Sequence, residues 1–302
     1  MAKRALLIGL NYAATPSATL QGCINDIVNM RNALIDAYGY QDANIVVLRD
    51  DDKSRLPTKS NILAAMANII RSSGASDTLW IHYSGHGTQI RSVTGDESDG
   101  LTECIVPCDF NSAGFIDDNT IFNIIGTAKC QLMLCFDSCH SGTVCDLQYS
   151  VNYNNGTLSY STNNSKRITN PNVIMLSGCR DAQTSADAYN SFSKQGVGAF
   201  TITLLETLRA SNHNIDLLSL YKNVCANLRN SGFSQTPTLS SSVPSASYQF
   251  SKTAVNSHVK TSSTSATTNA PKASSKLVSG FFPEHKVGHK INMNGLLSGR
   301  TG

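Results

Sequence analysis

Five short apolar runs, spaced by segments of helical periodicity, leave this chain few folds to choose from. Arg4 to Ile8, Ile45 to Leu48, Leu79 to Tyr83, Leu132 to Phe136 and Val173 to Ser177 are rich in leucine and β-branched residues and show little polar alternation. Runs of that kind belong to strands buried on both faces, as in a parallel sheet covered by helices. Between the first two, Leu20, Cys23, Ile27, Met30 and Leu34 recur at helical spacing, and Gly39 stands where the helix must stop. Pro57 and Thr58 open a second helix carrying Ile62, Leu63, Met66, Ile69 and Ile70 on one face, ended by Ser72-Ser73-Gly74. Strands alternating with helices predict an α/β fold with a mainly parallel central sheet and helices on both faces. Further helices are expected near Ala199 to Ala210 and Leu217 to Leu228, closed by Gly232.

Two stretches break this pattern. From about Tyr149 to Asn170 there is almost no apolar periodicity, and the segment is long for a loop inside a compact domain, so an exposed linker is expected. Beyond about Ser240 the composition shifts to Ser, Thr, Ala and Lys, which cannot bury enough surface to offset chain entropy, and a disordered tail is expected. Its last part regains apolar residues around Phe281 and Phe282. No internal repeat is visible.

Charge and cysteine usage exclude several classes. A net charge of +3 over 302 residues, with no basic run interleaved with aromatics, argues against a nucleic-acid partner. The apolar run after Lys3 and Arg4 is broken by Gly9 and Asn11, too short for a signal peptide, and no stretch reaches the ~20 apolar residues that span a bilayer. A soluble protein with no membrane partner is expected. Nine cysteines, an odd count, sit mostly inside apolar runs such as Gln131-Leu-Met-Leu-Cys135-Phe136. That placement fits free thiols in a reducing compartment, the cytoplasm. The triplets at Asn155 and Asn163 are then chance glycosylation matches. Cys104 with Cys108, and Cys130 with Cys135, lack the second pair a zinc site requires.

The residues that carry chemistry lie in two glycine-flanked turns, each following a strand: Tyr83-Ser84-Gly85-His86-Gly87 and Phe136-Asp137-Ser138-Cys139-His140-Ser141-Gly142. Ligands of open parallel sheets bind at the carboxyl ends of the strands. A thiol needs a base or cation nearby to react as thiolate, and an imidazole on the neighbouring loop provides one. Cys139 is therefore the expected nucleophile and His86 its proton-handling partner. The amides of Gly87 and Cys139 are expected donors to the oxyanion. His140 is a rival base, ranked below His86 because adjacent side chains in a turn diverge. His82, inside a strand, reads as a core histidine. Asp137, two residues before the nucleophile, and Asp26, opening a helix near the rim, are carboxylates suited to a guanidinium or ammonium group. Asp26 also suits a purely structural role at a helix N-terminus.

At this point the chain resembles the metacaspases, caspase-like cysteine peptidases. The matching stretches are Leu20-Gln-Gly-Cys-Ile-Asn-Asp26, Tyr83-Ser-Gly-His-Gly87, Glu103-Cys-Ile-Val-Pro107, Asp137-Ser-Cys-His-Ser-Gly142, Ser177-Gly-Cys-Arg-Asp-Ala-Gln-Thr-Ser-Ala-Asp187 and Gly198-Ala-Phe200, in the family's order. The resemblance implies a caspase-like sandwich, with a large catalytic region over 1–148, a linker over 149–170, a small catalytic region over 171–250 and a tail over 251–302. It implies a monomeric endopeptidase acting on protein substrates after arginine or lysine, with a pocket made by Cys23, Asp26, Ser84 and Asp137. The alternative is a catalytically silent scaffold, which the presence of both Cys139 and His86 opposes.

Calcium is the expected activator. The acidic run Asp96-Glu-Ser-Asp99-Gly-Leu-Thr-Glu103, with Asp117, Asp118 and Asp146, suits a hard cation with oxygen ligands. Asp117, Asp118 and Asp146 match the family's ligand positions, whereas Thr102 stands where the family usually has aspartate. Asp99 or Glu103 is expected to compensate, or the affinity to be weaker. Lys166 and Arg167, in an otherwise neutral segment, form the expected site of self-cleavage. The chain starts almost at its first strand, so no long amino-terminal recruitment region is expected.

Overall fold

Among the described residues, eight strands form the main sheet, in the order β2-β1-β3-β7-β10-β14-β8-β9. In chain order the elements are β1 (Lys3–Gly9), α1 (Cys23–Asp36), β2 (Ile45–Arg49), α2 (Lys59–Arg71), β3 (Thr78–Ser84), β4 (Gly87–Arg91), β5 (Leu101–Ile105), α3 (Phe110–Ala113), β6 (Ile116–Asp117), α4 (Asp118–Ile125), β7 (Gln131–Asp137), β8 (Tyr149–Asn154), β9 (Thr157–Thr162), β10 (Val173–Ser177), β11 (Ala186–Asn190), β12 (Gln195–Gly198), α5 (Ala199–Ala210), β13 (Ile215–Asp216), α6 (Leu217–Asn230), β14 (Thr238–Ser241), β15 (Gln249–Phe250) and β16 (Gly288–His289). The computed structural model describes residues 1–92, 100–139, 141, 144–154, 156–163, 167–170, 172–178, 186–190, 195–253 and 288–289.

The five apolar runs are the five parallel strands of this sheet, β2, β1, β3, β7 and β10. The inner strands β1, β3, β7 and β10 are buried on both sides because successive side chains enter opposite cores, whereas the edge strand β2 leaves Val46 exposed. Leu6, Ile8, Leu79, Ile81, Leu132 and Leu134 pack on α2 and α4 through Ile62, Met66, Ile69, Ile121 and Ile125. Ala5, Leu7, Trp80, Met133, Ile174 and Leu176 pack on α1, α5 and α6 through Ile27, Met30, Leu204, Leu208, Leu220 and Val224. Thr58 caps α2, its hydroxyl accepting from the amide of Asn61, as its position after Pro57 predicts.

The segment expected as a linker is largely a hairpin. β8 and β9 pair antiparallel, and β8 joins the sheet through β14. Ladder hydrogen bonds and the β-propensity of its Tyr, Val, Ser and Thr residues hold it, so the absence of apolar periodicity hid it. Val151 and Tyr153 pack against the second core, and Tyr153 donates its amide to the hydroxyl of Tyr221. Most of the expected tail lies outside the described residues, while Gly288–His289 pairs with Ala186 and Asp187 of β11. No helix among the described residues is long and apolar enough to cross a membrane.

The chain leaves β1 for β2 on one side and returns to β3 on the other, so the sheet has its topological switch between β1 and β3. Crevices for ligands open at such points, outside the carboxyl ends of the strands. Gly9, Ser84 and Asp137 are register partners there, which brings the loops after β1, β3 and β7 to one edge.

Candidate active site

The two glycine-flanked turns lie in main-chain contact. A β-carbon added to Gly87 would stand 1.8 Å from the carbonyl oxygen of Cys139 and 2.9 Å from its carbonyl carbon, so only glycine permits this approach. Gly85 donates its amide to the carbonyl of Asp137 at 3.3 Å, and Ser141 closes the cysteine turn by donating its hydroxyl to the carbonyl of Ser138. His86 and Cys139 are both fully buried. The two candidate oxyanion amides, on Gly87 and Cys139, thus belong to backbones that touch.

The loop after β1 sets the imidazole. Nε2 of His86 lies 2.7 Å from the carbonyl oxygen of Ala18. A carbonyl only accepts, so Nε2 carries the proton and Nδ1 of the neutral ring is the atom that takes one. His82 is buried on the α5 side, 3.4 Å from the hydroxyl of Thr201, and His140 lies outside the described residues.

Behind the turns, the pocket residues converge. Asp26, in the first turn of α1, accepts from the hydroxyl of Ser84 at 2.6 Å and from the amide of Gly198 at 2.7 Å. Asp137 accepts from the hydroxyl of Thr201 at 2.8 Å and its amide at 3.1 Å. Gly198 sits between them: a β-carbon there would meet Asp137 at 2.1 Å and Asp26 at 2.7 Å. Cys23 starts α1 with its amide on the side chain of Asn11. Both carboxylates are buried, so the positive end of α5 now occupies their oxygens. Thr201 and Gly198 had no role assigned from sequence alone; the signal available was a glycine and a threonine at the start of a helix, in the stretch Gly198-Ala-Phe-Thr201. Burial first, then the charges of Asp137 and Asp26, push the Cys135 thiol well up, which keeps that cysteine inert.

The second acidic group gathers beside β5. Cys104 of β5 pairs with Asp117 of β6, which precedes Asp118 directly. Asp117 caps α4 by accepting from the amide of Thr120 at 2.7 Å, Asp118 accepts from the amides of Glu103 and Asn119, and Glu103 accepts from the side chain of Gln89 at 2.9 Å. Asp146, in a left-handed conformation with φ of +45°, is buried. Burial, and after it the charges of Asp146 and Asp118, push the Cys145 thiol well up. Thr102 is buried in β5 and Asp99 lies outside the described residues. Among the described residues, no three His, Cys, Asp or Glu side chains are arranged to hold a metal ion. Lys166 also lies outside them, and Arg167 is exposed, its Nε donating to Gln148.

Comparison with known proteins places this geometry in context. A family model described as metacaspase, peptidase C14 domain, matches residues 3–148. Metacaspase-1 of Mycosarcoma maydis is 35% identical over 290 residues, covering 80% of this chain and 71% of that protein. Metacaspase-1 of Yarrowia lipolytica is 36% identical, covering 80% and 62%, and that of Kluyveromyces lactis 37%, covering 80% and 66%. The match with the Yarrowia and Kluyveromyces proteins thus spans less than two thirds of their length. The crystal structure of protein GSU0716 from Geobacter sulfurreducens shares the fold, with a TM-score of 0.56 at 21% identity over 83% of this chain and 94% of that one.

Proposed function

This chain belongs to the metacaspase family, whose members are cysteine peptidases, and from that premise we propose that it is an endopeptidase cutting proteins after arginine or lysine. The observation that carries the reading is the contact between the main chains of Gly87 and Cys139, which sets a thiol turn against an imidazole turn. Cys139 gives its proton to Nδ1 of His86, and the thiolate attacks the carbonyl carbon before the scissile bond. The oxyanion forms beside the amides of Gly87 and Cys139. His86 returns the proton to the leaving amine, and water, deprotonated by the same imidazole, releases the acyl group.

The preference for a basic side chain is supported by the convergence of Asp26 and Asp137. Since both are buried, the guanidinium reaches them as Gly198 draws back, taking over positions that α5 amides hold. Calcium belongs to the reading as an effector, with Asp99, Glu103, Asp117, Asp118 and Asp146 as the oxygen donors this chain offers. In the described arrangement Gln89 and main-chain amides take oxygens of Glu103, Asp117 and Asp118, so no chemical step is assigned to the ion. Self-cleavage beside Lys166 and Arg167 is supported by the exposure of Arg167. A cytoplasmic location, which the placement of cysteines inside apolar runs supports, and a monomeric state complete the reading.

The test is hydrolysis of fluorogenic peptides ending in arginine, lysine or aspartate, with and without calcium. Cleavage of the first two alone, abolished in Cys139→Ala, is expected. Cleavage after aspartate, or activity retained by Cys139→Ala, would overturn the assignment, and no cleavage at all would favour a silent scaffold.

A further inference from the structure

The backbone of Tyr12 adopts φ of +53°, in the left-handed region. Bulky residues avoid that conformation, and glycine or asparagine is the usual solution when a chain needs only the turn. An aromatic residue held there implies that its side chain is required, and strained residues of this kind gather at functional sites. Two anchors hold the strain in place. Asp50 accepts from the amides of Asn11 and Tyr12, at 3.0 and 2.5 Å. The carbonyl of Tyr12 then accepts from Thr15, and that of Thr15 from Ala18, both at 2.8 Å. This succession of turns is what delivers the Ala18 carbonyl to Nε2 of His86.

The side chain of Tyr12 grips the same histidine. Its ring lies 4.7 Å from the imidazole, centroid to centroid. Its hydroxyl accepts from the amide of His86 at 3.0 Å and donates to the carbonyl of Val106 at 2.7 Å. Tyr83 supplies the complement, donating to the carbonyl of His86 at 2.7 Å and accepting from the amide of Val106 at 3.2 Å. The two phenols therefore close a ring of hydrogen bonds in which each donates once, and both backbone groups of His86 are clamped. Burial, and after it Tyr83, hold the Tyr12 phenol protonated far above working pH, so its hydroxyl remains a donor throughout.

We propose that Tyr12 is a positioning residue of the catalytic centre: through its ring, its hydroxyl and the turn it begins, it fixes where the His86 imidazole stands relative to Cys139. The proposal rests on the reading of His86 as the proton-handling group. A residue acting this way governs the rate of proton transfer and leaves substrate binding alone, because misplacement of a catalytic group by even an ångström is costly.

The experiment compares Tyr12→Phe with Tyr221→Phe. Tyr221 is an equally buried tyrosine, whose hydroxyl donates to the carbonyl of Pro237 and accepts from the amide of Tyr153, away from both turns. Alkylation of Cys139 by iodoacetamide is followed against pH by peptide mass spectrometry, together with kcat and KM on an arginyl peptide and Tm. Tyr12→Phe is expected to move the pH midpoint of alkylation and to lower kcat about tenfold at nearly constant KM, as loss of one hydrogen bond used in the transition state does. Tyr221→Phe is expected to lower Tm comparably and to move neither quantity. Tyr12→Asn tolerates the left-handed backbone, keeps the turn and removes ring and hydroxyl together; a larger loss, about 10²-fold, is expected. An unshifted alkylation midpoint in both Tyr12 variants, or the same shift in Tyr221→Phe, would overturn the proposal. The alkylation arm needs no substrate, so it decides the role of Tyr12 even if the wild-type protein cleaves no peptide, a result that would count against the peptidase reading alone.

Discussion

Asp26 and Asp137 reach each other from the first turn of α1 and the end of β7, and they meet the amides of Gly198 and Thr201, contributed by the start of α5 172 and 64 residues away. Glu103, Asp117 and Asp118 lie on one local unit, β5-β6-α4, and their bonds run to neighbours within 15 residues. The first group is a product of the tertiary fold, with its oxygens turned toward one point. The second is satisfied largely by its own caps and turns. A pair of buried carboxylates assembled over such separations is costly unless cationic or dipolar groups meet it. Here an α5 terminus does so in the described state, and under the proposed function a basic substrate side chain competes with it. A locally capped cluster has no such unmet demand and must rearrange to hold an ion.

The sharpest way to break this contrast is to neutralise each group without removing its hydrogen-bond acceptors. Asp137→Asn and Asp26→Asn keep an oxygen for Thr201 or Gly198, so Tm should change little. The charge offered to an arginyl substrate falls, and kcat/KM should drop about 10²- to 10³-fold, the scale seen when one partner of a buried charge pair is lost. Steady-state kinetics on the arginyl peptide and a thermal melt decide it. Full activity in both variants would make the pair structural and remove the basis for basic specificity.

In the second group the expected effect is smaller and appears in calcium dependence. Asp118→Asn and Asp146→Asn should raise the calcium concentration for half-maximal activity about tenfold while leaving the saturated rate near wild type, as loss of one charged ligand weakens a hard-cation site. Mass spectrometry of the same calcium-treated samples should find cleavage beside Lys166 or Arg167 in the wild type, delayed in both variants. Unchanged titrations would confine these carboxylates to the structural role their present bonds describe.

How legible each part was follows from the same contrast. The inner parallel strands were readable because double-sided burial leaves uninterrupted apolar runs, and the His86 turn because close approach demands its flanking glycines, Gly85 and Gly87. The pocket carboxylates were readable as charges, but not their partners: the amides of Gly198 and Thr201 leave no trace in side-chain chemistry. The Ala18 carbonyl is equally silent. Tyr12 carries no distinguishing signal in the sequence, since strain shows only in the backbone φ. The hairpin β8-β9 was hidden because ladder bonds need no periodicity, and its polar outer strand, exposed along most of its length, gave no apolar signal.

The smallest effect concerns Asp117, which stands in both accounts, as helix cap and as candidate ligand. Its side chain accepts from the amide of Thr120 at the start of α4. Asp117→Ala leaves that amide without its cap and should cost about 1 kcal/mol of stability. Asparagine caps about as well as aspartate, so Asp117→Asn should restore most of the loss while removing the charge. If stability and calcium response both return with asparagine, Asp117 is a cap and the local group serves the fold. If stability returns but the calcium titration shifts, the same carboxylate serves both, and the α4 amide is the bond calcium must displace.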